Sequence, residues 1–215
     1  MPFSQLPLEG VLRCDDGGFY YFRQYDRDGA VERFVMYGEH PELDFCRVYS
    51  GTLSFGSSAP NVVIQGGWQD VPKGRSCTHG LLSLITEPQP DGTYHLVRDE
   101  EADRDRGRLD PFPGSRWQLT TFADVQRVGS SRRRPQYQGD GRINLTGRWI
   151  SEANDGTYYI GNPNFDDNAS RFNRSVDWYG ERAIGPLGNR TAWAHVFLGD
   201  KQEDGTLVGE FVDIP

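Results

Sequence analysis

Three blocks of this sequence recur in one order. Gly18-Phe19-Tyr20-Tyr21-Phe22 returns as Gly156-Thr157-Tyr158-Tyr159-Ile160, and Tyr37-Gly38-Glu39 returns as Tyr179-Gly180-Glu181. Gly66-Gly67-Trp68-Gln69-Asp70-Val71-Pro72 returns as Gly209-Glu210-Phe211-Val212-Asp213-Ile214-Pro215. The offsets are 138, 142 and 143 residues, so connections change length while the blocks hold, the behaviour of a repeated structural unit. Polar residues kept in one copy and lost in the other become candidates for something beyond folding.

The units read as β. Gly and Pro number 26 and 13, Met only 2, and no window sustains apolar residues at i, i+3, i+4 and i+7. Eight short strands are predicted in the first copy: 8–13, 18–25, 31–37, 45–55, 61–69, 80–86, 93–98 and 116–122. Asp28-Gly29 and Asp91-Gly92 supply the positive φ that tight hairpins need, which implies an antiparallel meander. Closing eight such strands into an up-and-down barrel removes both edges. The second copy offers five strands, 145–151, 156–160, 175–179, 192–198 and 206–212, and stops at Pro215 where the first copy continues. The fold class expected is thus all-β, an antiparallel up-and-down β-barrel with a second, incomplete copy of the same unit. The division expected is a barrel domain over 1–127 with an ion-rich surface loop at 99–114, a linker over 128–142 and a partial repeat over 143–215. An open five-stranded sheet leaves edges and an apolar face, so the partial copy is expected to dock on the first domain or across a homodimer.

Charge narrows the partners. Residues 1–97 carry 7 basic and 12 acidic groups, 98–142 carry 10 and 8, and 143–215 carry 6 and 11. Two acidic bodies repel phosphate backbones, so no nucleic-acid partner is expected, and Arg132-Arg133-Arg134 reads as solvated linker. No apolar run reaches the ~20 residues of a membrane span and the N-terminus has no signal-peptide pattern, so no membrane partner and a cytoplasmic location are expected. Cys14, Cys46 and Cys77 leave an odd thiol, which suits a reducing compartment. Cys77-x-His79 lacks the paired ligands of a zinc site, so no metal or other cofactor is expected.

Leu145-Thr146-Gly147-Arg148-Trp149 resembles the opening strand of the avidin and streptavidin family, and Leu8-Glu9-Gly10-Val11-Leu12 is a worn version of it. The wider pattern is Gly-Thr-Tyr-Tyr, then Trp-Tyr-Gly-Glu, then Trp-x-Asp-Val-Pro-Lys-Gly. It resembles a group of small bacterial proteins of unassigned function with avidin-like or lipocalin-like (calycin) barrels. The resemblance implies fold rather than activity. Ser151 and Asp155 stand where that family contacts the biotin head group, but its asparagine is missing, so biotin is not the implied ligand.

Alternation puts Phe19, Tyr21 and Arg23 on one strand face and Tyr20, Phe22 and Gln24 on the other. If Tyr21 and Arg23 point inward they give a barrel a hydroxyl and a cation; if outward, Phe22 is core. Arg23-Gln24 becomes Gly161-Asn162 in the second copy. Tyr37-Gly38-Glu39 and Tyr179-Gly180-Glu181 are expected to end their strands at the glycine, with the glutamates at a rim. Asp70 and Asp213 precede Val-Pro and Ile-Pro turns, where carboxylates accept backbone N–H bonds. Lys73, one of two lysines, follows the first such turn.

The expected function is binding of an apolar or planar small molecule inside the barrel. The candidate ligand-binding residues are Tyr21, Arg23, Tyr37, Glu39, Trp68, Lys73, Tyr159, Trp178 and Glu181. Two alternatives stay open: a barrel-type cyclase or isomerase with a carboxylate or tyrosine inside, and a carbohydrate-binding module with Trp68, Trp149 and Trp178 on a shallow outer surface. The buried face of the second strand discriminates among them.

Overall fold

The computed structural model describes residues 9–25, 32–40, 42, 45–55, 62–73, 78–105, 112–121, 145–151, 156–161, 175–182, 193–202 and 206–214. Asp28-Gly29, Cys77, Arg132-Arg133-Arg134, Asp155 and the linker 128–142 lie outside these residues. Eight strands form a closed antiparallel barrel in chain order: β1 (Gly10–Cys14), β2 (Phe19–Tyr25), β3 (Glu32–His40), β4 (Phe45–Phe55), β5 (Val62–Asp70), β6 (His79–Pro88), β7 (Tyr94–Arg98) and β8 (Arg116–Thr120). Closure is made by β1 against β8, with Leu12 opposite Leu119. A second, open sheet follows, of β9 (Gly147–Ile150), β10 (Thr157–Gly161), β11 (Ser175–Arg182), β12 (Trp193–Lys201) and β13 (Leu207–Asp213), with β13 and β9 at its edges.

Local chemistry explains the punctuation. At the β6–β7 hairpin Gly92 has φ +82°, and Asp91 accepts from Thr93 N at 2.9 Å and Thr93 Oγ1 at 2.7 Å. Within the segment read as a loop, Glu100–Asp105 forms a short helix, α1, capped by Asp99, which accepts from Ala102 N at 3.1 Å. An N-cap carboxylate suffices for one turn and a half where no apolar period announces a helix. Among the described residues no helix is long and apolar enough to cross a membrane.

The open sheet pairs as the first five barrel strands pair. Tyr21 is opposite Tyr37 and Tyr20 opposite Gly38 in the barrel; Tyr159 is opposite Tyr179 and Tyr158 opposite Gly180 in the sheet. Gly10 and Gly147 both carry positive φ, +140° and +152°, at the start of β1 and β9. Val71 N donates to Cys46 O and Ile214 N to Ala194 O, at 2.7 and 3.0 Å. Gly51 approaches the backbone of Gln65 and Gly66, as Gly199 approaches Val208 and Gly209 approaches Leu198 and Gly199. The strands do not end at Gly38 and Gly180: β3 runs on to His40 and β11 to Arg182. A Cβ at Gly38 would lie 2.2 Å from the Tyr20 ring, and one at Gly180 2.9 Å from Tyr158. Each glycine lets the cross-strand tyrosine lie across it, which keeps the ladder intact.

By compactness the chain divides into two units. One comprises Met1–Pro41, Tyr49–Trp68 and Gly80–Arg127; the other comprises Glu42–Val48, Gln69–His79 and Val128–Pro215. The unit containing the open sheet therefore also holds one end each of β4 and β5 and the segment that follows β5.

Candidate functional site

The barrel lumen is occupied by its own side chains. Phe112 lies 6.2, 5.1 and 5.7 Å from Tyr20, Trp68 and Trp117, which come from β2, β5 and β8. Rings from three non-adjacent strands meet around one residue only through the interior. Phe22 stacks on Phe34 at 5.5 Å, Phe34 meets Tyr49 edge-on at 4.7 Å, and Tyr49 OH donates to Leu82 O at 2.7 Å. Leu12, Tyr20, Phe22, Phe34, Met36, Tyr49, Ile64, Leu82 and Trp117 are at most 1% exposed. An eight-stranded barrel is just wide enough for side chains to fill, and here they do. Cys14 and Cys46 are buried, and burial reinforced by Asp16 pushes the Cys14 thiol up, which makes it unreactive.

A partly buried polar set organises the other face of the open sheet. Tyr159, Tyr179 and Glu181 converge there, with Lys73 arriving from the segment after β5. Glu181 accepts from Lys73 Nζ at 3.1 Å, Tyr179 OH at 3.0 Å and Tyr159 OH at 3.4 Å. Lys73 also lies 4.7 Å from the Tyr179 ring centroid. Burial, then the charge of Glu181, pushes the Tyr159 phenol up to about 12, so it stays a donor. Beside this set, Asp177 of β11 is buried, and burial pushes its carboxyl up to about 7 despite a hydrogen bond from Gln69. Gln69 Nε2 also reaches Gly161 O at 3.5 Å.

The opposite face of the sheet is aromatic. Register aligns Tyr158, Gly180, His195 and Asp213 in one row and Ile160, Trp178, Phe197 and Phe211 in the next. Trp193 stacks on His195 at 4.3 Å and 4°, Trp178 on Phe197 at 4.1 Å and 23°, and Tyr158 stands edge-on to Trp178 at 5.7 Å. The barrel counterpart of this face is the lumen face bearing Tyr20 and Phe22, which is sealed. In the sheet, Tyr158, Trp178, Trp193 and His195 are partly exposed and Phe211 is 69% exposed. Burial lowers the His195 pKa, with Asp213 pulling the other way, so the imidazole is neutral at pH 7.

The barrel counterparts of His195 and Asp213 are Arg47 and Asp70. Arg47 Nε donates to Asp70 Oδ1 at 3.0 Å and its guanidinium lies 3.7 Å over the Phe45 ring. Asp70 also accepts from Thr78 N at 2.9 Å and Thr78 Oγ1 at 2.6 Å, so it serves both as the turn acceptor its sequence context suggests and as half of an ion pair.

The expected site residues fall into separate groups. Tyr21 and Tyr37 stack at 6.1 Å on the face opposite the lumen, and both are buried. Arg23 shares that face and is exposed. Glu39, near the end of β3 and opposite Phe19, the first residue of β2, is 2% exposed and accepts from Tyr37 OH at 3.3 Å. Trp68 is in the sealed lumen. Lys73, Tyr159 and Glu181 are brought together, and Trp178 is on the aromatic face. Both faces of β2 are buried over 19–22, so the discriminating strand does not choose one side.

Sequence reasoning passed over Tyr158, Trp193, His195 and Phe211 as site residues. The usable signal was a fourth block, Val48-Tyr49-Ser50-Gly51 against Val196-Phe197-Leu198-Gly199, which aligns Arg47 with His195. Compared with protein-family models, curated proteins and solved structures, the chain finds no match. The class defined by fold and site is an antiparallel β-barrel protein carrying a second, non-closed sheet of the same pairing. Its distinctive feature is that the face sealed in the barrel is partly open in the sheet, where Ile160 and Phe197 are buried but Tyr158, Trp178, Trp193, His195 and Phe211 reach solvent.

Proposed function

We propose that this protein binds a small ring-shaped molecule, and that the ligand lies on the aromatic face of β10–β13 rather than inside the closed barrel. A barrel architecture is compatible with small-molecule binding; the observation that carries this reading is the contrast between the filled lumen and its open counterpart. Trp178 and Trp193 are each held by a stacked neighbour, so a ligand meets rings that are already ordered, which lowers the entropy cost of binding. The lumen tyrosines commit their hydroxyls to Asp16, 2.9 Å from Tyr20, and to Leu82 O, which favours a binding protein over a cyclase. In this reading Tyr21, Tyr37, Glu39, Tyr159, Lys73 and Glu181 hold the strands, and Trp178 touches ligand.

The test is a fluorescence titration with N-phenyl-1-naphthylamine, a neutral planar probe. Phe211→Ser and Trp178→Ala should weaken capture at least tenfold, and Val208→Ser, also exposed but on the opposite face of β13, should not. Capture indifferent to all three variants would move the site elsewhere.

A further inference from the structure

In the repeat β13 takes the place of β5, and the two strands differ in what lies beyond them. β5 stands between β4 and β6 in the closed barrel, whereas β13 has β12 on one side and no described strand on the other. One pair of counterparts shows the consequence: Trp68 of β5 is 2% exposed and Phe211 of β13 is 69% exposed.

The ladder fixes which backbone groups this leaves at the edge. Gln202 N donates to Thr206 O and Ile214 N to Ala194 O, at 2.7 and 3.0 Å. Antiparallel ladders alternate, so the even-numbered residues of β13 turn their N–H and C=O toward β12, while Leu207, Gly209 and Phe211 turn theirs away from the sheet. Donors and acceptors thus line the edge at the spacing an antiparallel strand requires. Edges that stay single are ordinarily interrupted by proline, lysine or a bulge. β13 contains neither proline nor lysine and keeps register with β12 over all 7 residues, while β9, at the other edge, is 4 residues long.

We propose that β13 is a self-association edge, on which β13 of a second copy of this chain pairs antiparallel about a two-fold axis. Residues turned outward must face one another, and only centres at Gly209 or Glu210 keep Leu207, Gly209 and Phe211 all within the second β13. Centred on Glu210, the pairing sets two carboxylates directly opposite, which is destabilising. Centred on Gly209, it sets Leu207 of each copy opposite Phe211 of the other, and Val208 opposite Glu210. Every outward group of Leu207, Gly209 and Phe211 is then bonded, and the exposed Phe211 ring meets an apolar side chain. The axis is perpendicular to the sheet, so both aromatic faces lie on the same side of one continuous sheet. Such an isologous contact closes at two copies. A contact through one strand is smaller than the roughly 1,200 Å² of a standard interface, so association in the micromolar range is expected.

The experiment is sedimentation velocity on the full-length protein from sub-micromolar to millimolar concentration, with circular dichroism to check the fold of each variant. The expected result is a reversible monomer–dimer equilibrium. Leu207→Pro removes an outward N–H without breaking a bond to β12 and should weaken the dimer about tenfold or more. Val208 is 58% exposed, so its replacement leaves the core intact. Val208→Lys puts a cation opposite Glu210 of the second copy and should tighten the dimer, and Val208→Glu puts a like charge there and should weaken it, each about threefold or more. If Leu207→Pro fails to fold, the two Val208 variants decide. A monomer at every concentration would overturn the proposal, as would a dimer indifferent to Leu207→Pro. Equal affinities for the two Val208 variants would overturn the pairing centred on Gly209. Species that keep growing with concentration would replace the two-fold with head-to-tail pairing of β13 on β9. N-phenyl-1-naphthylamine capture, read below the association range, tests the ligand face separately from this edge.

Discussion

Arg47 and Asp70 form an ion pair in which neither side chain is more than 4% exposed, while their counterparts His195 and Asp213 stand where solvent reaches the carboxylate. Removing one partner of a buried pair strands a charge, at about 3–5 kcal/mol, whereas an exposed carboxylate contributes under about 1 kcal/mol. Asp70→Ala is therefore expected to lower stability several-fold more than Asp213→Ala. Urea titrations of the two variants check the ordering, and equal losses would refute it.

Tyr21 and Tyr159 occupy matching places, stacked on Tyr37 at 6.1 Å and on Tyr179 at 6.3 Å, and they are 3% and 1% exposed. Each replaced by Ala should cost on the order of 3 kcal/mol, the usual price of deleting a buried aromatic ring. A loss below about 0.5 kcal/mol at either position in denaturant titration contradicts its role in the core.

Gly38→Ala and Gly180→Ala test the tyrosine lying across each glycine. Tyr20 is 1% exposed in the filled lumen and cannot retreat from a methyl group placed 2.2 Å away, whereas Tyr158 is partly exposed and its contact is 2.9 Å. Overpacking a closed core costs about 1–3 kcal/mol, so Gly38→Ala should lower the melting temperature clearly more than Gly180→Ala. Similar shifts in calorimetry would show that the two rings are equally free to move.

Much of this architecture was legible because the strands advertise themselves. Alternating β-branched and aromatic residues bounded by Gly, Asp and Pro placed all thirteen strands within a few residues, with β4 matching end to end. The glycines of Tyr37-Gly38-Glu39 and Tyr179-Gly180-Glu181 misled, since a glycine mid-strand reads as a stop unless the cross-strand tyrosine that covers it is known. Period-2 reasoning also could not rank the faces of β2, because 19–22 are buried on both. The aromatic face escaped notice for a different reason. Its rings come from β10, β11, β12 and β13, and only register brings Tyr158, Trp178, His195 and Phe211 into adjacent rows.

Asp177 should give the protein a stability that falls as pH rises through neutrality. Its folded pKa, about 7, lies above the ordinary aspartate value of 3.8, so the native state binds the extra proton between those values. The contribution is fully present below about pH 4 and is lost as pH passes about 7. The rise corresponds to at most about 4 kcal/mol. Asp177→Asn keeps the shape of the neutral acid and removes the titration, so it should melt above wild type at pH 8 and alongside it at pH 4.5. Parallel melting temperatures across that range would show that Asp177 is ionised throughout.

The sheet of β9–β13 depends on residues far away in sequence. Lys73 bonds Glu181, and Gln69 bonds both Gly161 and Asp177, while Tyr159, Tyr179, Val196 and Val212 on that face are no more than 7% exposed. Both the 42–48 and 69–79 segments belong to the same compact unit as the sheet. Expressed without them, residues 143–215 would carry an uncovered apolar face, an unpaired Glu181 and an unbonded Asp177, costs that a five-stranded open sheet has little reserve to meet. Residues 143–215 alone are expected to give a collapsed amide spectrum and no cooperative thermal transition, while the full chain gives both dispersion and cooperativity. A monomeric 143–215 fragment with dispersed amides and a sharp transition would show that the sheet covers itself and that the contacts of Gln69 and Lys73 are dispensable.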